Sequence, residues 1–589
     1  MTPALTRSGL VLLLAYGTFF LTLLQRLKTL KDVDAMLRLM GQATVLMAVI
    51  GLGQLFFGNG RFLWIIEHPL RDTVDAAKGT FTNQNHFAHF LALGIGPLVW
   101  WWKSSGANQG EVIQGHVKNR GFGISRSTDS LQKIIAGAIA VVLFAGVLTY
   151  SRGGIAVLSI AVLIAMASVG KMWKAILRLA VPVVLFLAAA IAIFGTIRLE
   201  SKWNSLTQAT SWAEISEGRL ALWGALLTAT RYFWPVGAGV GSHAEVYPTW
   251  MKEDLGVRMS HAESSYMQIL IETGLPGLLL SFVALGVCIF WITSAWRNCE
   301  GDARGRVIIL TSCVVVTFVH SLVDFVWYIP ACTVFGLIAI ACLFRTHQIH
   351  NKVYSGRKTS WATVWAFIIV ISAVPVGRLS SEVVRRDAGS EAAWLTFRGE
   401  SVVAGRSTTF NSTEAFDDRL ESMIHELESC VQADPSDFRA SSNLAALYLR
   451  RFAKHQQTAE NRMSVKEIRD TVKDANFESS RHVAEWLHTA FGSPVADLYR
   501  SLLIAERSLQ GQPLRAENYL ILAELGFLKG MSAEDENRLI DQAIRLRPHK
   551  ASVLYAAGHT RAVQGEFEQA FEFWSKAFHI DKDLSLIHI

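Results

Sequence analysis

The sequence predicts an all-α protein, a polytopic membrane helical bundle of about ten spans followed by a soluble α-helical solenoid tail. Two observations carry this reading. Of 589 residues, 51% are hydrophobic and only 18% are charged, which is too apolar for a series of soluble domains. The excess is also uneven. Apolar runs alternate with short polar connectors up to about residue 378, and charged residues are dense beyond it, so the shift separates a membrane domain, 1–378, from a tail, 379–589.

A helix crosses the hydrocarbon core, roughly 30 Å thick, with about 20 apolar residues and every backbone polar group bonded within the segment. Suitable runs lie near 8–25, 40–57, 84–102, 134–150, 153–170, 179–197, 275–296, 307–324, 327–344 and 361–377. Five of the six cysteines, Cys288, Cys299, Cys313, Cys332 and Cys342, lie in or beside these runs and read as small buried apolar residues. Cys430 stands alone in the tail, so no disulfide framework is expected.

The net charge of +7 resides in connectors rather than on one soluble face, which points to membrane orientation and away from nucleic acid. Connectors 26–39, 103–133, 171–178, 297–306 and 345–360 hold nineteen Lys and Arg residues and share one side in the ten-span count, which makes that side cytoplasmic. The opposite, extracytoplasmic side receives the 58–83 loop, the turn Ser151-Arg152-Gly153-Gly154, the long 198–274 segment and the tail. Met1 then starts outside with no secretory signal ahead of it, so two further spans are expected upstream. Residues 584–589 read as an adapter-encoded addition.

In the tail, two 34-residue windows, 517–550 and 551–584, align with each other. Leu554, Ala557, Gly558, Phe567, Ala570, Trp574 and Ala577 of the second match Leu520, Ala523, Phe527, Ala543 and Pro548 of the first in a pattern of small and large packing positions. The pattern resembles the tetratricopeptide repeat, and the stretch from Ala433-Asp434-Pro435 to Arg451 resembles another copy. Such repeats stack into a solenoid with a peptide-binding or protein-binding concave face, so the tail reads as a separable domain with a protein partner.

No P-loop, dinucleotide fingerprint, H-E-x-x-H or C-x-x-C pair is present. Gly237, Gly239 and Gly241 imitate a phosphate loop, but no strand precedes them and no helix follows, so a loop turn is the better reading. Charge, aromatics and glycine gather in 198–274. There Gly218-Arg219-Leu220 is followed by Trp234-Pro235, then by His261 ahead of Tyr266, Gln268, Glu272, Gly274 and Gly277. An earlier span opens with Phe81-Thr82-Asn83-Gln84-Asn85-His86-Phe87-Ala88.

Together with the turn at Arg152, these segments resemble the O-antigen ligase and polymerase family across roughly residues 40–345. The resemblance implies a membrane-embedded glycosyltransferase fold of the GT-C type with about twelve spans. It implies transfer of a glycan from an undecaprenyl-diphosphate carrier to an acceptor, without a nucleotide sugar, a metal or another cofactor. The site it implies is Arg152, Arg219 and His261, with Asn85 and Gln268 as further substrate contacts. Ala262 stands where the family usually has Asn.

The residue types suit that chemistry. A lipid diphosphate leaving group develops negative charge near the bilayer surface, and the planar arginine fork of Arg152 or Arg219 matches phosphate oxygens. His261, whose unperturbed pKa lies near neutrality, can accept the proton of an attacking hydroxyl. Simpler readings stand beside these: Arg152 snorkelling at a span end, Arg219 as a loop residue and His261 as a helix cap. His320 and Asp324, an i, i+4 pair, read equally as support for the site or as structural pairing. Arg231 and His243 read as ordinary surface residues.

The expected function is therefore a glycosyltransferase, multi-pass in the bacterial inner membrane, with its active loop and tail extracytoplasmic. The acceptor is lipid A core, another glycan repeat or a protein hydroxyl, the last making it an oligosaccharyltransferase. A transporter or flippase is the alternative of another class, as is a scaffold for polysaccharide assembly. Transporters usually carry ionisable residues near mid-membrane, whereas the charges here lie at span ends.

Overall fold

The computed structural model describes residues 3–68, 71–114, 124–169, 218–253, 258–351, 360–406, 419–459, 461–475, 477–563 and 565–581. Helices dominate, with no strand among the described residues. The membrane part is built from α1 (Pro3–Arg26), α2 (Leu30–Phe57), α3 (Gln84–Gln114), α4 (Ile124–Val147), α5 (Arg152–Ala167), α6 (Arg219–Tyr232), α7 (Ser265–Asn298), α8 (Gly301–His320) and α9 (Pro330–His350).

Six of the described helices are long and apolar enough to cross a membrane: Leu5–Arg26, Leu30–Phe57, Ser130–Val147, Ser265–Asn298, Gly301–His320 and Pro330–His350. The chain is thus a multi-pass membrane protein. Of the other expected spans, 179–197 lies outside the described residues, and 361–377 falls in α10 (Ser360–Arg406). The apolar run expected at 153–170 forms the shorter α5.

Local sequence sets the helix starts. Thr29 caps α2 in a reciprocal box, its hydroxyl accepting from the Asp32 amide while Asp32 accepts from the Thr29 amide at 2.7 Å. Ser151 caps α5 by accepting from the Gly154 amide at 2.9 Å, and Ser264 caps α7 by accepting from the Met267 amide at 3.4 Å. Inside the bundle α2, α3, α4, α5, α8 and α9 share one core around Leu37, Phe87, Leu91, Leu98, Leu148, Leu310 and Leu343. Gly94 admits Thr44 of α2, whose hydroxyl would lie 2.0 Å from a Cβ at that position.

At one end of the bundle, Asp34 of α2 receives Arg306 of α8 at 2.9 Å and the Trp100 indole of α3 at 2.8 Å. Arg306 and Arg345, expected in connectors, lie instead inside α8 and α9 and are buried. Arg306 is held by its carboxylate partner, and Arg345 donates to the Leu24 carbonyl at 2.7 Å. A buried guanidinium needs such partners to offset its lost hydration.

The composition change near 378 falls within α10, which runs on into the tail, where its Trp394 and Phe397 join a core with Leu420, Met423, Leu427, Leu444 and Tyr448. The tail then continues through α11 (Leu420–Ala433), α12 (Phe438–Thr458), α13 (Val465–Ala475), α14 (Ser480–Phe491), α15 (Val495–Gly511), α16 (Ala516–Leu525), α17 (Ala533–Leu546), α18 (Ala551–Val563) and α19 (Phe567–Ile580). Each of the two aligned windows thus contains a helix pair, α16 with α17 and α18 with α19. The tail does not stand apart. Leu514, Ala516, Ala543, Leu546 and Val553 complete a single core with Leu222, Leu226, Val246, Tyr247 and Ala262 of the loop that carries α6.

Candidate functional site

The end of the bundle opposite the Asp34–Arg306 pair collects the start of α3, the start of α5, the start of α7 and the 321–329 connection between α8 and α9. His86, in the first turn of α3, brings Nε2 within 3.1 Å of Asp324 Oδ1. One turn further, His89 Nδ1 lies 3.1 Å from His320 Nδ1. The α5 turn packs on the same histidines: a Cβ at Gly153 would lie 3.2 Å from His320 Nε2, and one at Gly154 only 2.3 Å from the Ala88 methyl. The Ser265 amide at the start of α7 donates to the carbonyls of Ser321 and Asp324 at 2.9 and 3.0 Å. Helix N-termini carry partial positive charge, so three of them at one place favour an anion.

The i, i+4 pairing of His320 with Asp324 expected from sequence is replaced by two long-range pairs. α8 ends at His320, so Asp324 leaves the helical register and meets His86, while His320 meets His89. Burial alone would raise the Asp324 carboxyl, but the hydrogen bonds from His86 and the Phe325 amide, with the His320 imidazole beside it, hold it below the ordinary range.

His261 lies in the loop ahead of α7, its imidazole stacked on Phe325 and tilted against Tyr328, with centroids 4.2 and 5.7 Å away. Phe325 also takes the edge of His86 at 4.7 Å. His261 Nδ1 is 3.0 Å from Ser260 Oγ, and with the proton on Nδ1 donated to that hydroxyl, Nε2 keeps a free lone pair. Burial, reinforced by the His86 charge and only partly offset by Asp324, pushes the His261 pKa down to about 4, so the ring is neutral at neutral pH.

Arg219 is the first residue of α6, set there by Gly218 in a left-handed conformation at φ +77°. Its guanidinium reaches Glu263, Nη2 to Oε2 3.3 Å, with side chains 27% and 21% exposed, so a ligand can reach the pair. Burial pushes the Glu263 carboxyl up, and Arg219 counters it. Glu263 itself takes φ +52°, a left-handed backbone that costs a non-glycine residue about 1–2 kcal/mol. Arg219, Glu263 and His261 are thereby brought together. Arg152 heads α5 with an exposed side chain, beside the glycine that packs on His320.

Asn85 lies half-buried in the first turn of α3, next to His86. Gln268, expected to meet substrate, is engaged within the loop. It is 3% exposed, its Oε1 accepts the Ala262 amide at 2.6 Å and its Nε2 donates to Glu272 at 2.7 Å, which engages both ends of the amide. Ala262 is fully buried, with its carbonyl accepting from the Trp223 indole at 2.8 Å. An Asn here would bring an amide into that apolar core.

The three loop glycines lie outside regular structure, as the turn reading expected, although a single helical turn, His243–Val246, follows them, and they grip a break in α7. Gly274 has φ +66° and ψ −155°, and the amides of Ala238, Gly239 and Leu275 bond across this junction at 2.8 to 2.9 Å. Backbone approaches so closely that a Cβ at Gly237 would lie 2.6 Å from the Glu272 carbonyl carbon. His243, expected at the surface, is 1% exposed and stacked on Tyr247, and burial pushes it down to about 3. Arg231 is exposed.

Sequence reasoning passed over His86, His89, Glu263 and Phe325 as functional candidates. The signal available was the i, i+3 histidine pair at the head of an apolar helix, where buried imidazoles require partners.

The segment that holds Arg152, Arg219, His261 and Gln268 supplies the deciding comparison. Residues 137–282 match the family model described as O-antigen ligase. The O-antigen ligase match runs from α4 into α7 and includes the α5 turn, α6 and the His261 loop, whereas the α3 histidines, the α8–α9 connection and the tail lie outside it. It supports a glycosyltransferase-type enzyme with a glycan-transfer or polymerase role at a membrane. A comparison with curated proteins gives no match.

Proposed function

We propose that this protein transfers a glycan from an undecaprenyl-diphosphate carrier to an acceptor hydroxyl, as an O-antigen ligase or polysaccharide polymerase does, at the outer face of the bacterial inner membrane. The observation that carries the reading is the meeting of Arg219, Glu263 and neutral His261 with three helix N-termini at one end of the bundle. A diphosphate and an attacking hydroxyl both need such a place, because they must be held within a few ångströms of one anomeric carbon.

In this mechanism Arg219 leaves Glu263 for the diphosphate oxygens, and Arg152 and the α5 amides approach from the other side of the leaving group. The acceptor oxygen attacks the anomeric carbon as its proton passes to His261 Nε2. The bond from that carbon to the diphosphate oxygen breaks, and undecaprenyl diphosphate departs with the electron pair. Asn85 borders the same end of the bundle and is a donor-side contact. The tail, a stack of tetratricopeptide-like helix pairs, offers a surface for a protein partner.

The test is purified protein in nanodiscs, supplied with undecaprenyl-diphosphate glycan and, in separate reactions, lipid A core, free glycan repeat and a hydroxyl-bearing protein. Product with one acceptor class identifies ligase, polymerase or oligosaccharyltransferase. Donor left intact with all three, in a preparation that binds it, would overturn the transferase reading in favour of transport or scaffolding.

A further inference from the structure

Glu245 sits in a single helical turn, His243–Val246, and is 3% exposed. One carboxylate here faces three guanidinium groups. Arg515 Nη2 lies 3.0 Å from Oε1, Arg547 Nη2 lies 3.2 Å from Oε2, and Arg258 also pairs with Oε1. Arg258 belongs to the loop itself, three residues before His261, whereas Arg515 and Arg547 come from the tail. Both tail arginines are buried, at 7% and 8% exposure. Two buried guanidinium groups at a junction are costly unless counter-charges are held against them; Glu517 supplies one from within the tail, and Glu245 supplies the one that comes from the loop, so Glu245 favours closure of this junction.

Around the carboxylate the two surfaces interlock. Thr249 Oγ1 donates to the Leu546 carbonyl across the junction at 3.1 Å, and within the loop Tyr247 Oη accepts the Met259 amide at 2.8 Å. Ala262, bonded to His261, belongs to the same core as Leu514 and Leu546 of the tail. The tail therefore completes the hydrophobic support of the loop that carries the histidine.

We infer that the tail is a positioning element of the transfer site, with Glu245, Arg515 and Arg547 acting as a latch that holds the His261 loop in its working geometry. This rests on the reading of His261 as the transfer base. It changes the meaning of the repeat tail: a partner that pulls α16 and α17 away would slow transfer without touching substrate. Glu245, Arg515 and Arg547 are positioning residues, remote from the reacting atoms.

The experiment uses the full chain in nanodiscs and compares wild type with Arg547→Glu, Arg547→Gln and Arg547→Lys. Two readouts are taken, backbone hydrogen exchange across 243–263 and the kcat and donor KM of transfer. With a latch, Arg547→Glu sets two carboxylates face to face, exchange across the loop rises about tenfold, and kcat falls about tenfold with donor KM unchanged, the size expected for one buried charge-assisted contact. Arg547→Lys restores most of both. Arg547→Gln gives the same direction with less disruption and serves if Arg547→Glu unfolds α17, which exchange across 533–546 reveals. Wild-type exchange and wild-type kcat in both charge-removing variants overturn the latch. Should the wild-type chain transfer no glycan, the exchange readout still decides the coupling. Should transfer persist with loop exchange unchanged, the latch fails and the transferase reading stands.

Discussion

The imidazole of His261 lies flat on the ring of Phe325, with centroids 4.2 Å apart and planes within 1°. Phe325 follows Asp324, which is bonded to His86, and Phe325 also receives the edge of the His86 ring. One aromatic side chain therefore fixes the orientation of the proposed base and ties it to the head of α3. Stacking of this kind is worth about 0.5–1.5 kcal/mol beyond the buried area, enough to select one ring orientation.

The same burial sets a pH dependence. With its folded pKa near 4, His261 is a neutral base across the physiological range. Transfer should stay flat from about pH 8 down to about pH 5 and then fall with one proton near 4. Stability follows the same sign. The unfolded histidine binds a proton near 6.5 and the folded one only near 4, so the stabilisation is complete above about 6.5 and is lost as pH falls through that window. A pH–rate profile with melting in parallel checks both, and a rate that falls at pH 6.5 would show that burial does not depress this ring.

Arg219 and Glu263 separate a clamp from a structural ion pair. If Arg219 exchanges Glu263 for diphosphate oxygens, Arg219→Ala should weaken donor binding by about 1.5–3 kcal/mol, and Arg219→Lys, which loses the fork, should recover little of the turnover. Glu263→Gln should bind donor at least as tightly as wild type, because the guanidinium is released. Donor-binding isotherms on the three variants decide this. Equal loss in Arg219→Ala and Glu263→Gln would mean that the pair only holds the loop.

Gly154 tests the packing of the α5 turn. A methyl group there would lie 2.3 Å from Ala88 Cβ and 2.8 Å from the capping Ser151 oxygen, two short side chains with no room to swing away. Gly154→Ala should therefore cost about 1–3 kcal/mol of stability and displace the α5 start from the α3 histidines, with loss of transfer. Gly153→Ala, whose methyl would meet the His320 ring at 3.2 Å and Val323 at 3.9 Å, should be milder. Thermal melting in detergent orders the two.

The contact of Glu245 with Arg515 and Arg547 requires the His261 loop and the tail to share one side of the bilayer. Cysteines introduced at Lys252 and Ser480, both exposed, should react with an impermeant maleimide from the same side, the extracytoplasmic one. The native cysteines are buried and give little background. Labelling of the two positions from opposite sides would contradict both the loop–tail contact and the assigned orientation.

The sequence by itself determined that this chain is helical and crosses a membrane, because hydropathy summed over one span is a local property that no distant contact can reverse. The helix starts are also set by local chemistry, at Thr29, Ser151 and Ser264, where a side-chain oxygen bonds an amide three residues on, although the apolar runs placed two of these starts about ten residues late. Arg219 and His261 were legible because they stand in short segments of recognisable order. The tertiary structure alone decided the rest. His86 with Asp324, His89 with His320, and Glu245 with Arg515 and Arg547 join positions 231 to 302 residues apart. Such pairs follow from which helix ends meet when the bundle closes, and a buried imidazole or carboxylate takes whatever partner that closure offers. For the same reason Gln268 became a brace for the loop, His243 went inside, and the tail completed the core beneath Ala262.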